Sequence, residues 1–193
     1  MSLHGDALAV LEGWRAPSPE QERLRMRYVE HLRARPDGVT RACRPKHVTA
    51  SVLVLDASGD RLLLTHHAKA GQWFQLGGHL EPEDETLAGA ALREAVEESG
   101  LPAEQLALDP EPVVLDAHHV PFCGDGAVWH LDVMFWARAE TAARPVVSEE
   151  SLDVRWWPLA ELPNPELAPF AALALSRARR LVADPAGPPP TSR

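Results

Sequence analysis

The sequence predicts an α/β fold in which a mixed β-sheet is covered by helices on both faces. Strand-like segments lie before and after one central helical segment, and further helical segments occur near both ends of the chain, an order typical of a layered domain. With 193 residues, 45% of them hydrophobic, the chain can bury one substantial core. We expect an N-terminal segment with one helix over residues 1–40, a main domain over 41–183 and a disordered, proline-rich tail over 184–193.

The individual elements follow from hydrophobic periodicity and from turn residues. Residues 1–17 are expected to be loosely structured, whereas Ser18 and Pro19 form a favourable N-cap and first turn for a helix that ends near Arg35. The remaining predictions are helices over residues 85–99 and 165–182, and strands over residues 49–55, 61–66, 73–76, 112–120, 128–137 and 154–157.

The charge balance and the cysteines narrow the classes of partner and compartment. The chain has 19 basic and 28 acidic residues, a formal net charge of −9, which disfavours general binding to nucleic acids or membranes. A small phosphorylated molecule remains compatible if metal ions or a few arginines neutralise its charge locally. Cys43 and Cys123 are isolated in the sequence and predict reduced thiols in a cytoplasmic protein. We expect neither a signal peptide nor a membrane span.

Three carboxylates converge near the end of the central helix. At about 100° per residue, Glu94, Glu97 and Glu98 lie within one narrow arc, where carboxylates three and four residues apart repel each other. Glu97 and Glu98 also lie beside the negative end of the helix dipole. Because such local conflicts are typical of functional sites, the pattern predicts a bound divalent cation. A solvated acidic helix end is the alternative.

Two glycines precede this helix and extend the candidate site. Gly77 and Gly78 allow the backbone to approach a substrate closely. Carboxylate and carbonyl oxygens favour Mg²⁺ or Mn²⁺, and Mg²⁺ commonly bridges protein carboxylates and substrate phosphates. The residues therefore predict metal-assisted phosphoryl or pyrophosphoryl chemistry. The helix face that packs on the sheet is expected to contain Ala88, Leu92, Ala95, Val96 and Ser99.

The segment from Gly78 to Leu101 resembles the Nudix box, the signature of the Nudix hydrolase superfamily. That signature has a glycine, five residues, a glutamate, seven residues and then Arg-Glu-apolar-x-Glu-Glu-x-Gly-apolar, and the chain matches it from Glu85 onward. Six residues instead of five separate Gly78 from Glu85, which we interpret as a one-residue insertion in the loop before Glu85. The flanking strands agree with the Nudix-like α/β/α sandwich that the resemblance implies, here with an N-terminal and a C-terminal helix.

The resemblance also implies a role for each matching residue. Arg93 would pair with Glu85 and hold the loop against the helix. The implied reaction is hydrolysis of a pyrophosphate bond in a nucleoside diphosphate linked to another group, with Mg²⁺, or Mn²⁺ in its place, as cofactor. The metal ligands would be the carboxylates of Glu94, Glu97 and Glu98 and the carbonyl oxygen of Gly78 or its neighbour.

The resemblance leaves the general base open between two glutamates. Glu94 serves in some Nudix enzymes, and a glutamate from a loop beyond the box serves in others. Glu150, in an acidic loop before the last strand, matches the second kind, with a solvated turn as the alternative. Lys69 and Trp73 follow the second strand and are candidates for a phosphate contact and for base stacking. A solvated cation and a core tryptophan are the respective alternatives.

Two competing functions share this fold. A Nudix-fold nucleotide-binding regulator that has lost catalysis is the first, although the complete acidic set argues against it. An isopentenyl-diphosphate isomerase is the second, and the absence of a cysteine from residues 75–79 argues against it. Outside the box, His118, His119 and His130 are expected to be partly exposed strand histidines rather than a second metal site. The N-terminal helix is a candidate surface for a homodimer.

Overall fold

The computed structural model describes residues 1–68, 70–123, 126–141, 143–147 and 151–183. Lys69, Glu150 and the tail over 184–193, all singled out from the sequence, lie outside the described residues. The helices are α1 (Leu3–Gly13), α2 (Pro19–Ala34), α3 (Leu87–Ser99) and α4 (Ala168–Ala183), and the strands are β1 (Lys46–Leu55), β2 (Arg61–His67), β3 (Gln72–Phe74), β4 (Leu76–His79), β5 (Leu106–Cys123), β6 (Gly126–Ala139) and β7 (Ser151–Pro158).

The sheet is mixed and divides into two parts along β1. On one side β1 pairs in parallel with β6, which pairs antiparallel with β5. On the other side β1 pairs with β2 through Val54 and Leu55 and then pairs with β4. β2 instead continues alongside β3 and β7. Beyond Val54 and Leu55, β1 and β2 no longer pair with each other but with different strands. The two strands therefore separate, and a cleft opens between them.

Helices cover both faces of the sheet, as predicted. A first core holds residues of α1, α2 and α3, such as Leu11, Tyr28 and Ala91, against Val52 and Phe135 of the sheet. A second core holds α4 and the turn before it against the opposite face, with Leu167, Ala171, Ala174 and Ala178 packed on Leu53, Leu64 and Trp136. The observed architecture is therefore an α/β/α sandwich. Within the described residues, no helix combines the length and apolarity needed to cross a membrane.

The first 17 residues are ordered, contrary to the expectation of loose structure. The Ser2 hydroxyl accepts a hydrogen bond from the Gly5 amide and caps α1. Ala7 and Leu11 are fully buried, and the Trp14 indole donates a 2.6 Å hydrogen bond to the Pro112 carbonyl. The N-terminal segment thus has two helices instead of one, because contacts with the main domain stabilise a helix whose own sequence signal is weak.

The glycine pair lies in a strand rather than in a loop. β4 pairs antiparallel with β1, and Gly77 lies opposite Ser51. A Cβ atom at Gly77 would lie 2.5 Å from the Ser51 Cα and 2.7 Å from the Ala50 carbonyl oxygen. β4 and β1 can approach this closely because position 77 has no side chain.

Candidate active site

The central helix presents its acidic end to the sheet. The Thr86 hydroxyl caps the first turn by accepting from the Gly89 amide, and Gly100 ends the helix with a φ of 65°. The most buried side chains are Leu87, Ala90, Ala91, Ala95, Glu98 and Ser99. The core face of α3 is therefore the side that carries Leu87, Ala90 and Ala91 and continues into Glu98. The predicted core positions Ala88, Leu92 and Val96 are only half-buried, since the carboxylate side of α3 faces β4.

The three box glutamates differ in burial and in contacts. Glu98 is 8% exposed, and its Oε2 accepts a 2.8 Å hydrogen bond from the Gly77 amide. The Glu94 carboxylate lies so close to Gly78 that a Cβ there would be 2.7 Å from Glu94 Oε1. The Glu97 side chain is 55% exposed. Glu94 and Glu98 thus meet the glycine backbone, while Glu97 extends to solvent beside them.

Arg93 joins the loop to the helix through Asp84, which corrects the predicted pair with Glu85. Its Nε and Nη2 donate to the two oxygens of Asp84 at 3.0 and 3.1 Å, and Nη2 also donates to the His79 carbonyl at 3.0 Å. The Asp84 hydrogen bond is the main cause that raises the pKa of Arg93. Glu85 is exposed. The acid on the inner side of the loop is therefore Asp84.

This pairing moves the one-residue insertion to a different place in the box. Five residues separate Gly78 from Asp84, the number expected between the glycine and the acid, and eight instead of seven separate Asp84 from Arg93. The extra residue therefore follows the acid. The sequence alone indicates Glu85, because the glutamate and its seven-residue gap to Arg93 match the signature, whereas in the structure the aspartate one position earlier pairs with Arg93.

A cleft of about 400 Å³ lies beside the acidic helix end. Gly77, Gly78 and Glu98 form part of its wall, so the box borders this space directly. Residues from both halves of the divided sheet and from the start of α4 complete the lining, among them Thr49, Ser51, Thr65, Phe74, His118, Asp132 and Phe170.

The floor of the cleft holds two carboxylates that the sequence reasoning did not single out. Asp132 is 3% exposed and accepts hydrogen bonds from the hydroxyls of Thr49 at 2.9 Å and Ser51 at 2.6 Å. Burial raises the pKa of Asp132. Burial alone would lower the pKa of His118, but its Nδ1 lies 2.8 Å from Asp116 Oδ2, and this carboxylate raises the pKa overall. No local sequence pattern joins these two residues, because Asp116 on β5 and Asp132 on β6 meet only through the pairing of the two strands.

Histidine rings crowd together next to this floor. The rings of His47, His79 and His130 have centroid separations of 4.9–5.1 Å, and His118 lies 5.4 Å from His130. Burial and the neighbouring histidines lower the pKa of His130 to about 3. Of the three expected strand histidines, His118 and His130 therefore belong to a larger cluster, whereas His119 is exposed and lies against Trp129.

Trp73 lies away from the predicted base-stacking position. Its ring stacks on His66 at 5.0 Å and meets Trp157 edge-on, with the Arg155 guanidinium 5.3 Å from its centroid. It packs against the core beneath α4, whereas the next residue, Phe74, lines the cleft. Strand alternation explains the difference, because successive side chains point to opposite faces.

The donor set beside Gly77 and Gly78 suits a hard divalent cation. Three carboxylates and a backbone carbonyl are oxygen ligands of the kind that Mg²⁺ and Mn²⁺ prefer. The missing side chain at Gly78 leaves the space that the Glu94 carboxylate fills. Arg93 Nη1, at 3.2 Å from Glu94 and 2.9 Å from Glu97, balances part of the negative charge. The residues present therefore fit the group that the box resemblance implies.

Solved structures with the same fold come from several sources. An Ap4A hydrolase from C. elegans, in a binary complex, is 21% identical, covers 70% of this chain and 97% of its own, and has a TM-score of 0.52. A MutT NUDIX hydrolase from Burkholderia pseudomallei is 25% identical over 68% of this chain and 96% of its own, with a TM-score of 0.50. The NUDIX domain of Shewanella oneidensis NrtR, complexed with ADP ribose, is 19% identical over 72% and 91%, with a TM-score of 0.51.

A family model, and not an individual relative, identifies the family of this chain. A search among curated proteins gave no match. The family model described as NUDIX domain matches residues 45–178, a range that runs from just before β1 into α4 and includes the whole box. Because this match covers more than half of the chain and agrees with the α/β/α sandwich, it shows that the chain belongs to the Nudix hydrolase family.

Proposed function

We propose that the protein hydrolyses a pyrophosphate bond in a nucleoside diphosphate linked to another group, with Mg²⁺ or Mn²⁺ as cofactor. The observation that carries this proposal is the approach of Glu94 and Glu98 to the Gly77–Gly78 backbone at the wall of a cleft of about 400 Å³. That the structural neighbours include an Ap4A hydrolase and a domain bound to ADP ribose supports a nucleoside diphosphate derivative as the substrate class.

The metal ligands in this proposal are the carboxylates of Glu94, Glu97 and Glu98 and the carbonyl of Gly78. When bound, Mg²⁺ supplies an activated water and neutralises charge on the phosphates. The chain itself orients the ligands: the Gly77 amide holds one oxygen of Glu98, and Arg93 holds Glu94 and Glu97. Arg93 therefore acts as a positioning residue rather than as a catalytic one.

Two glutamates are candidates for accepting the proton of the attacking water. Glu94 lies against Gly78 and could serve as base as well as ligand. Glu150, proposed from the sequence alone, is the second candidate. Loss of a general base commonly lowers the rate by about 10²–10⁴-fold. Glu94→Gln should lower kcat in either case, because Glu94 is also a proposed metal ligand, so Glu150→Gln at saturating Mg²⁺ decides between the two. A loss of kcat of about 10²-fold or more in Glu150→Gln would assign the base to Glu150, and a kcat near that of the wild type would assign it to Glu94.

The cleft offers separate places for the diphosphate and for the groups that it joins. We assign the diphosphate to the side that is formed by Gly77 and Gly78, and a phosphate contact to Lys69. Phe74 and Phe170 line the cleft and provide apolar ring surface for a base or another flat group. In this proposal Phe74 takes the stacking role that the sequence suggested for Trp73.

The test is a panel of nucleoside diphosphate derivatives assayed with Mg²⁺ for release of monophosphate or phosphate. We expect at least one member to be hydrolysed by the wild type, and Glu97→Gln and Glu98→Gln to lower kcat/KM by about a hundredfold or more. Glu85→Gln, with an exposed carboxylate outside the site, is the matched control. Tight binding of a panel member without turnover would favour the non-catalytic regulator. Full activity in both metal-ligand variants would contradict the metal assignment.

A further inference from the structure

Four side chains with nitrogen or sulfur ligand atoms meet at one end of the sheet. They are His47 of β1, His79 of β4, His130 of β6 and Cys123 at the end of β5, and their ligand atoms all lie within 4.8 Å of one another. The strand register explains the meeting. His47 pairs directly with His130, and His79 pairs with Thr49, two residues further along β1 on the same face.

The hydrogen bond of His47 determines which of its nitrogens is available. Its Nδ1 lies 3.1 Å from the Cys43 carbonyl oxygen, and a carbonyl can only accept, so Nδ1 carries the proton. Nε2 then has a lone pair and no proton. A backbone carbonyl that fixes a histidine in this way is a common partner of metal-binding imidazoles. His47 is therefore prepared for coordination through Nε2.

Two buried nitrogens of the cluster lack the partners that buried polar atoms normally have. Within the described residues, His47 Nε2 and His130 Nε2 are inaccessible to solvent and make no hydrogen bond. His47 is fully buried, and Cys123 is 3% exposed. Buried polar side-chain atoms usually have at least one hydrogen-bond partner. Packing alone gives no reason to collect these groups here, whereas a metal ion would satisfy both nitrogens at once.

We propose that His47, His79, His130 and Cys123 bind a Zn²⁺ ion through three imidazole nitrogens and one thiolate. Four ligands of this type form the closed tetrahedral sites of structural zinc. His79 Nε2 and Cys123 Sγ are already 3.3 Å apart, near the roughly 3.5 Å that separates nitrogen and sulfur on a tetrahedral zinc ion. Small side-chain rotations bring the other ligands inward. The Cys123 thiol releases one proton to solvent when the thiolate binds the metal.

This site is chemically distinct from the carboxylate site of the box. Soft sulfur and imidazole ligands select Zn²⁺, whereas carboxylate and carbonyl oxygens select Mg²⁺ or Mn²⁺. The two sites are nevertheless linked through the backbone, because His79 directly follows Gly78 and the His79 carbonyl accepts a hydrogen bond from Arg93. A zinc ion would hold the end of β4 against β1, β5 and β6, and would thereby hold the glycine backbone that faces the box glutamates.

The test uses untagged full-length protein that is purified without chelators and analysed for metal content. We expect about one zinc per chain, and the Co²⁺-substituted protein should show tetrahedral d–d bands together with a thiolate-to-cobalt charge-transfer band. Cys123→Ser should abolish the charge-transfer band, and Cys123→Ser and His130→Gln should each weaken zinc binding by about a hundredfold or more. Zinc content and circular dichroism are measured on the same samples.

Two variants serve as controls. His119→Gln changes an exposed histidine of β5 that lies opposite Trp129, the residue before His130. This variant should keep the full zinc content, as should Glu97→Gln in the carboxylate site. The proposal is overturned if the wild type binds no zinc in competition with a colorimetric chelator. It is equally overturned if folded Cys123→Ser and His130→Gln bind zinc as tightly as the wild type, or if the cobalt spectrum shows no thiolate ligand. Because these readouts do not use catalysis, they are independent of the proposed hydrolysis.

Discussion

Arg93 has several polar partners at the site, whereas the sequence pattern predicts only one. Its guanidinium contacts the Asp84 carboxylate with two nitrogens, the His79 carbonyl, Glu94 and Glu97. A planar fork with five N–H donors can bind several acceptors at fixed angles, which lysine cannot do. The arginine thereby ties the loop before α3 to the acidic face of the helix.

The pairing of Arg93 with Asp84 instead of Glu85 leads to a prediction about stability. Asp84→Asn should destabilise the fold by about 1–3 kcal/mol, because it removes the charge from a buried partner of Arg93. Glu85→Gln should change the free energy of unfolding by less than about 0.5 kcal/mol, as is usual for an exposed side chain. Urea unfolding of both variants measures this difference. Equal losses would contradict a special role for Asp84, and a larger loss for Glu85→Gln would favour Glu85 as the partner in solution.

Asp132 should make the stability of the protein depend on pH. Burial raises its pKa above the unfolded value of 3.8, so its contribution to stability is complete below that value and is lost as the pH rises through the folded-state pKa. Asp132→Asn cannot titrate, and an amide can still bond the hydroxyls of Thr49 and Ser51. The stability of the variant relative to wild type should therefore increase with pH above about 4.

An aspartate of opposite shift provides the control for that series. Hydrogen bonds from Arg35 lower the pKa of Asp37 to about 2, so its contribution is present above the unfolded value and is lost as the pH falls toward 2. Asp37→Asn should lose stability relative to wild type as the pH rises from about 2 to about 4. Urea unfolding at a series of pH values measures both. A pH-independent difference for Asp132→Asn would contradict the assignment to burial.

At the scale of elements, strong local signals were predictable and tertiary ones were not. The predicted helix over 85–99 and the observed α3, Leu87–Ser99, nearly coincide because Thr86 and Gly100 cap the helix at both ends. α1 lacks comparable helix signals and is stabilised by packing. β4 is only four residues long and contains two glycines, which are poor strand formers. Its pairing with β1, which no local pattern reveals, makes it a strand.

The two glycines of β4 should fail in different ways when they are substituted. A Cβ at Gly77 would meet the backbone of β1, 2.5 Å from the Ser51 Cα, so Gly77→Ala should destabilise the fold by about 2 kcal/mol or more. A Cβ at Gly78 would meet the flexible end of Glu94, which can rotate away. Gly78→Ala should keep nearly wild-type stability and lose activity by about a hundredfold. Thermal unfolding and kcat/KM separate the two effects, and similar profiles would contradict this division.

The first helix, α1, supports α3 through one carboxylate. Asp6 Oδ2 of α1 accepts a 2.8 Å hydrogen bond from the Leu87 amide, the first N–H of α3. A negative charge at this end also favours the helix dipole. Asp6→Ala should therefore cost about 1 kcal/mol and increase hydrogen exchange at Leu87. Glu12→Gln, which affects only an exposed pair with Arg33, should do neither. An unchanged exchange rate in Asp6→Ala would argue against the cap.

At the scale of the whole molecule, the sequence predicts a candidate metal site where the proposed ligands are close in sequence and gives no signal for one where they are distant. Three glutamates on one helix carry their geometry in their spacing. The zinc ligands proposed above come from four strands, between residues 47 and 130, and only the pairing of those strands brings them together. The same reason explains why Asp132 was not anticipated, since its partners lie on β1.

The acidic character of the whole chain leads to a prediction about ligand binding. With a formal net charge of −9, the protein should repel a diphosphate, and this repulsion is strongest beside the carboxylates of Glu94, Glu97 and Glu98. Mg²⁺ bound between carboxylates and phosphates would reverse the sign of the interaction. We therefore expect Mg²⁺ to increase the affinity for a non-hydrolysable nucleoside diphosphate analogue by about tenfold or more, and the analogue to increase the affinity for Mg²⁺ by the same factor.

Calorimetric titrations in both orders measure this reciprocity. A nucleoside without phosphates is the matched ligand control, because its affinity should not change with Mg²⁺. Glu97→Gln and Glu98→Gln should reduce the coupling toward unity, since each removes one proposed ligand, whereas Cys123→Ser should leave it measurable, since the thiolate belongs to the other proposed site. Equal affinity with and without Mg²⁺ would mean that the diphosphate binds away from the three glutamates, and the electrostatic argument for this active site would then fail.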